Sequence, residues 1–271
     1  MAEGLPITFL SDYGYEDEFA GVCRAVIGQI APDAPLIDLT HGIGRQDVRH
    51  GALALASALP FTPPGVHVAV VDPGVGTGRR AVAALTRDEG RFLVGPDNGL
   101  LAPAIERLGG CSVAIDLAQS PFRLEPVSAT FHGRDIFAPV AAHLALGATL
   151  GEAGEKVDPD SLARLELPRP AIEPDRVTVH ALRADTYGNV VLDLVPADLA
   201  DGPLRPGESF ELDAPDGRFQ GRWARTFADV APGDMLLYED SSRVLALAVN
   251  GGSAAGLLNL RPDDEVALRP L

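Results

Sequence analysis

At 271 residues, with 46% apolar and 22% charged residues, the chain is long enough for one large and one smaller packed domain and too apolar for disorder. Its formal charge of −16, from 22 basic and 38 acidic residues, repels phosphate backbones and argues against nucleic acid as a partner, while suiting a cationic ligand or plain solubility. Lysine occurs once, at Lys156, so lysine-based covalent chemistry is all but excluded. Cys23 and Cys111 lie in separate regular segments without paired spacing, and neither a disulfide framework nor a metal site is expected. No basic segment followed by an apolar one opens the chain and no apolar run is long enough to span a membrane, so a cytoplasmic protein without a membrane partner is expected.

In chain order, Ile7–Leu10 reads as a strand ending at Ser11-Asp12, and residues 16–30 show helical spacing with acidic residues in the first turn. Leu36–Leu39 is a second strand, Asp47 caps a helix to about Leu59, and Val66–Val71 is a buried strand that stops at Asp72. Strands near 80–85 and 91–94, a turn at 95–99, a helix over 100–108 and a strand over 112–117 follow. The helix after His132 runs to about Leu146. This alternation predicts a layered α/β domain with a mostly parallel sheet over residues 1–165. Residues 151–175, with Pro168, Pro170 and Pro174, read as a linker. Beyond it, short β-rich runs at 177–182, 190–194, 209–212, 235–238, 244–249 and 265–268 predict a small all-β, barrel-like domain over 166–271.

The densest chemistry lies in Val70–Arg80, VVDPGVGTGRR, where a carboxylate at a strand end is followed by a glycine loop and two arginines. Asp12, Asp72 and Asp185 all follow strand-like runs. Each is also a natural turn-former, but together they are expected to converge on one rim of the sheet, where carboxylates pair with ribose hydroxyls, ammonium groups or sulfonium centres. His132 precedes a helix, where the dipole disfavours the imidazolium form, and Arg134 and Asp135 adjoin it. His41, His50, His67, His143 and His180 read as structural or exposed. The loop GVGTG is followed by no Gly-Lys-Ser/Thr and lacks the dinucleotide fingerprint, and no nucleophile elbow or metal-ligand spacing occurs.

The ordered motifs FLSDYG at 9–14, DLTH at 38–41, VDPGVGT at 71–77, GPDNG at 95–99, FHGRD at 131–135, DTYGN at 185–189, DSS at 240–242 and NGGSAA at 250–255 resemble the S-adenosyl-L-methionine hydroxide adenosyltransferases, relatives of fluorinase and chlorinase. The resemblance covers both domains. It implies hydrolysis of S-adenosyl-L-methionine to adenosine and L-methionine without a cofactor. Asp72, Arg79 and His132 then take the catalytic roles, the Arg lying seven residues after the Asp, with Arg80 as its neighbouring alternative. Asp12 matches a ribose-binding Asp, and Asp72 also belongs to the substrate-binding set. Asp185 and Asn189 match positions that bind the methionine and adenosine parts, Ser241 and Ser242 the methionine carboxylate, and Val249 and Gly251 backbone contacts to adenine. A homotrimer with sites between subunits is implied as well.

Departures from the halogenating pattern favour water over halide. Those relatives place a Ser at the position matching Gly133 and a Tyr at that matching Asp72, and Gln46 here replaces an aromatic wall. A carboxylate repels halide but, beside Arg and His, helps orient water. A halide-using adenosyl transferase and a non-catalytic binder of the same ligand are the competing readings.

Overall fold

Alternation along the strands decides which face of the first sheet each side chain covers. In β1 (Ile7–Ser11) Ile7 and Phe9 enter one core while Leu10 enters the other. After helix α1 (Phe19–Ile30), strand β2 (Leu36–Thr40) and helix α2 (Val48–Ala58), strand β3 (Val66–Val70) repeats the division: Val66, Val68 and Val70 face the first core, Ala69 the second. Strands β4 (Ala81–Thr86) and β5 (Phe92–Pro96), helix α3 (Ala102–Arg107) and strand β6 (Cys111–Asp116) complete most of the sheet. Helices α4 (Ala138–Ala145) and α5 (Leu150–Ala153) precede its last strand, β7 (Glu155–Val157). Cys23 and Ile27 of α1 join α4 on the first face, and Ala52 and Leu55 of α2 join Ala104 of α3 on the second, giving three layers.

The computed structural model describes residues 4–271, which divide into two units, the first ending at Leu165 and the second running Glu166–Leu271. The strand order of the first is β2-β1-β3-β5-β4-β6-β7. Pairings among β2, β1, β3 and β5 are parallel, as the strand–helix alternation predicts, whereas β5–β4, β4–β6 and β6–β7 are antiparallel. For β4 and β5 the antiparallel pairing follows from a short connection: between Thr86 and Phe92 there is no room for a crossover helix. Because β1 connects onward to β2 on one side and lies beside β3 on the other, a crevice opens at the carboxyl ends of β1 and β3, directly before Asp12 and after Val71.

The second unit carries β8 (Ala171–Ile172), β9 (Val177–Ala184), β10 (Val190–Leu192), β11 (Ser209–Ala214), β12 (Gly217–Trp223), β13 (Met235–Glu239), β14 (Leu245–Val249), helix α6 (Ala254–Leu258) and β15 (Glu265–Pro270). Seven of its strands run β10-β14-β13-β12-β11-β15-β9, and pairing of β9 with β10 closes them into a barrel, with β8 appended to β9. Phe210, Leu212, Leu237, Leu247 and Leu268 are among the side chains that fill it.

Three expectations need correction. Helix α1 starts at Phe19, so Glu16–Glu18 precede it and its first turn has no acidic residue. The predicted linker is partly structured, since α5 runs into it, β7 lies inside it and β7 pairs with β6. Strand β12 was not expected: GRFQGRW is polar at alternate positions and bears two glycines, which hides its apolar face of Phe219 and Trp223.

Candidate active site

Asp72 follows β3, and a compact turn brings the chain back toward it. Thr77 N and Oγ1 both donate to the Gly74 carbonyl, at 3.1 and 2.7 Å. Gly76 has φ +77°, and a Cβ there would stand 2.4 Å from the Ala129 carbonyl, so the glycine lets loop 73–78 lie against the loop before His132. Arg79 emerges facing Asp72. Its Nε donates to Oδ1 at 2.8 Å and its Nη2 to Oδ2, a bidentate pair whose side chains are only 9% and 6% exposed.

Arg79 Nη2 also lies 3.0 Å from His132 Nδ1. A guanidinium only donates, so Nδ1 accepts and the neutral ring carries its proton on Nε2. Burial first, and the Arg79 charge second, lower the His132 pKa below its ordinary value, against the opposing pull of Asp72 and Asp135. The ring is thus held as a neutral base. His132 sits at the start of a π-helical turn, Gly133–Phe137, that runs into α4. Neighbouring Asp135 faces elsewhere: it is buried, pairs with Arg134 at 2.6 Å and accepts from Ser128 N at 2.8 Å.

Asp12 lies across the crevice, its Oδ2 accepting the Gln46 backbone N–H at 2.8 Å, with Gln46 at φ +61°. Asp12, Tyr13, Gln46, Asp72, His132 and Gly133 line one cavity of about 370 Å³, within the usual range for small-molecule sites. Tyr13 was not singled out as a site residue from sequence, although it adjoins Asp12. Burial, then nearby Cys23, Asp12 and Asp72, hold its phenol well above the ordinary range, so it is a neutral donor. A Cβ on Gly133 would come within 2.1 Å of the Tyr13 hydroxyl oxygen, so any larger residue would have to displace that hydroxyl.

The two arginines differ in their partners. Arg80 Nε donates to Asp97 at 2.8 Å and its Nη1 to Ser161 Oγ at 3.0 Å, while Asp97 also accepts from Ala163 N at 2.7 Å. Asn98 Nδ2 holds the Val71 carbonyl at 2.9 Å. The 95–99 motif therefore braces the end of β3 from outside the cavity.

The remaining sequence-selected residues belong to the second unit, so Asp185 does not share the rim of the sheet with Asp12 and Asp72 as expected. It closes the β9–β10 turn: Oδ1 accepts from Tyr187 N and Asn189 N, both at 2.9 Å, and Oδ2 from Asn189 Nδ2 at 2.8 Å. Ala255 N donates to Gly188 O at 2.8 Å, which joins this turn to the stretch 250–255 that holds Gly251 at φ +74°. Val249 ends β14 and is nearly buried. Ser241 and Ser242 form the β13–β14 turn, where Ser242 N donates to Asp240 Oδ1 at 2.7 Å. Burial, and then Asp185 and Asp240, raise the pKa of Tyr238 on β13.

Among the described residues, no three His, Cys, Asp or Glu side chains cluster as a metal site would require, and no helix is long and apolar enough to cross a membrane. Comparison with known proteins gives two family matches: the SAM hydroxide adenosyltransferase N-terminal domain over residues 7–154 and its C-terminal domain over 179–267. The chain is 47% identical to a protein of Salinispora arenicola named (R)-S-adenosyl-L-methionine hydrolase, covering 98% of each. It is 40% identical to one of the same name from Thermus thermophilus, covering 97% of this chain and 99% of the other. A fluorinase from an Actinoplanes species is 29% identical over 96% of each. Among solved structures, an uncharacterized conserved protein from Thermotoga maritima superposes with a TM-score of 0.90 at 34% identity, covering 97% of this chain and 99% of that one.

Proposed function

The chain belongs to the SAM hydroxide adenosyltransferase family and is an S-adenosyl-L-methionine hydrolase, and we propose that Asp72, Arg79 and His132 direct a water onto the ribose 5′-carbon, releasing adenosine and L-methionine. The observation that carries the assignment is the buried chain of bonds from Asp72 through Arg79 to His132, beside a cavity that Asp12 also lines. The sulfonium is already a good leaving group. The protein's task is to hold water in line with the carbon–sulfur bond, and positioning of that kind is worth up to about 7–11 kcal/mol in well-oriented systems.

As the carbon–oxygen bond forms, Arg79 transfers its Nη2 hydrogen bond from His132 to the attacking oxygen. That transfer frees Nδ1 to take the water's proton, and Asp72 keeps the guanidinium in place. Asp12 holds the ribose hydroxyls. Asp185 and Asn189 hold the methionine and adenosine parts, Ser241 and Ser242 the methionine carboxylate, and the backbone at Val249 and Gly251 meets adenine. We assign the chain to the cytoplasm, without cofactor, as a homotrimer in which the second unit of one subunit completes the site of the next. Mixing inactive His132→Ala and Asn189→Ala subunits tests this: shared sites restore activity in mixed trimers, and no recovery places each site in one chain.

The names of the relatives specify the (R) form, and we extend that preference for the sulfonium epimer to this chain. Reaction with each epimer, followed by chromatography with and without chloride or fluoride, tests the reading. Adenosine and methionine from the (R) epimer are expected whatever the halide. A 5′-halogenated adenosine, or tight binding without turnover, overturns it.

A further inference from the structure

A second cavity, of about 410 Å³, adjoins the catalytic cluster. Arg79, His132, Thr77, Ala118, Arg123 and Glu125 belong to its wall, and His132 is the one residue that lines both cavities. Arg79 lines only the second, and its Nη1, buried in a side chain 9% exposed, has no hydrogen-bond partner among the described residues. Nη1 is itself buried, an unpaired donor behind the wall, so the rest of the Arg79 side chain and the His132 ring are what meet the cavity. Arg123 Nε donates to Glu125 Oε1 at 2.6 Å, and its Nη1 donates to the Ala118 carbonyl. The Glu125 side chain is 61% exposed, so this ion pair stands between the cavity and solvent.

The reaction needs such an opening. Each turnover forms one C5′–O bond from water and breaks the C5′–S bond, whose electron pair stays on sulfur. One proton from the water must leave. A nucleoside-sized substrate fills the cavity lined by Asp12 and Asp72, so neither fresh water nor the proton can exchange freely through it. We propose that the second cavity is the solvent and proton port of this enzyme, with Arg79 and His132 as the partition across which water passes forward and the proton passes back to the Arg123–Glu125 rim. The inference rests on the hydrolase reading above.

The direct test measures deuterium exchange at the His132 ring C2 with the substrate cavity filled by an analogue carrying nitrogen in place of the sulfonium, buried His67 serving as the slow reference. Exchange at His132 should stay within about threefold of the free enzyme, because the port still supplies solvent. An Ala118→Trp plug, placed at an exposed position, should cut that exchange and kcat by about tenfold with KM unchanged. Arrest of exchange by the analogue alone in the natural protein overturns the port, as does full turnover by a folded Ala118→Trp variant. If that variant melts early, the exchange result in the natural protein decides alone. Failure of the natural protein to form adenosine would instead overturn the hydrolase reading and is seen separately.

Discussion

Asp72 and Asp185 begin as the same sequence feature, an aspartate just after an apolar strand followed by a glycine-containing turn, and they end differently. Asp72 reaches out of its loop to Arg79, and through it to His132, sixty residues further along the chain. Asp185 commits both oxygens to groups within four residues of itself. The difference comes from what each turn must do. The β9–β10 turn is a tight antiparallel connection whose free backbone N–H groups a local carboxylate satisfies. At the end of β3 the chain leaves a parallel strand, the crevice stays open, and the carboxylate is free to orient a cation.

The largest effect should come from breaking the first arrangement. Asp72→Ala, Arg79→Ala or His132→Ala should lower kcat by at least about 10³-fold, roughly 4 kcal/mol of transition-state stabilisation, while KM changes far less. Steady-state kinetics with both parameters resolved checks this, and a change confined to KM would place these groups in binding alone. Asp12→Ala, by contrast, should act chiefly on KM.

A buried histidine outside the cavity sharpens the contrast on stability. His67 Nδ1 lies 2.9 Å from Thr8 Oγ1 and its Nε2 3.4 Å from an Arg91 nitrogen that can only donate, so the ring is locked neutral. Burial first, then Arg91, lowers its pKa to about 3. The unfolded chain takes up a proton near the ordinary histidine pKa while the folded chain does not. Stability is therefore intact above about pH 6.5 and falls by about 1.4 kcal/mol per unit as pH drops toward 3. Between pH 6.5 and 5 this amounts to about 2 kcal/mol, and denaturant melts of His67→Phe should show that much less acid dependence than the natural protein.

Asp185→Ala should raise KM through the lost substrate contact and also act as a turn mutation, costing about 1–2 kcal/mol in a thermal melt through three lost hydrogen bonds to one carboxylate. A large fall in kcat without loss of stability would instead put Asp185 on the same footing as Asp72. The smallest effect is expected at Arg80, which bonds Asp97 and Ser161: Arg80→Ala should keep kcat within about threefold. If it abolishes turnover while Arg79→Ala does not, the seven-residue spacing has selected the wrong arginine.

Much of this was legible because the signals were local. Val66–Val71 ending at Asp72 announced a buried strand and its rim carboxylate, and Asp47 does cap α2 through the His50 N–H at 2.9 Å. What stayed hidden depended on partners distant in sequence. Nothing in Arg79-Arg80 tells which guanidinium faces Asp72 until the 73–78 turn fixes their directions. The glycine at 133 reads as a helix-start residue until Tyr13 is found against it. Strand β12 escaped because its inward face is one ring, one glycine and one tryptophan, with Gly221 leaving room for the Phe210 ring.

The central claim is that the Asp72–Arg79–His132 side of the molecule delivers water to the 5′-carbon. Single-turnover reaction in ¹⁸O-water, with mass spectrometry of both products, tests it most directly. The account predicts one ¹⁸O in the 5′-hydroxyl of adenosine, none in methionine, and loss of labelled product in His132→Ala. Unlabelled adenosine, or label in the amino-acid product, would contradict it.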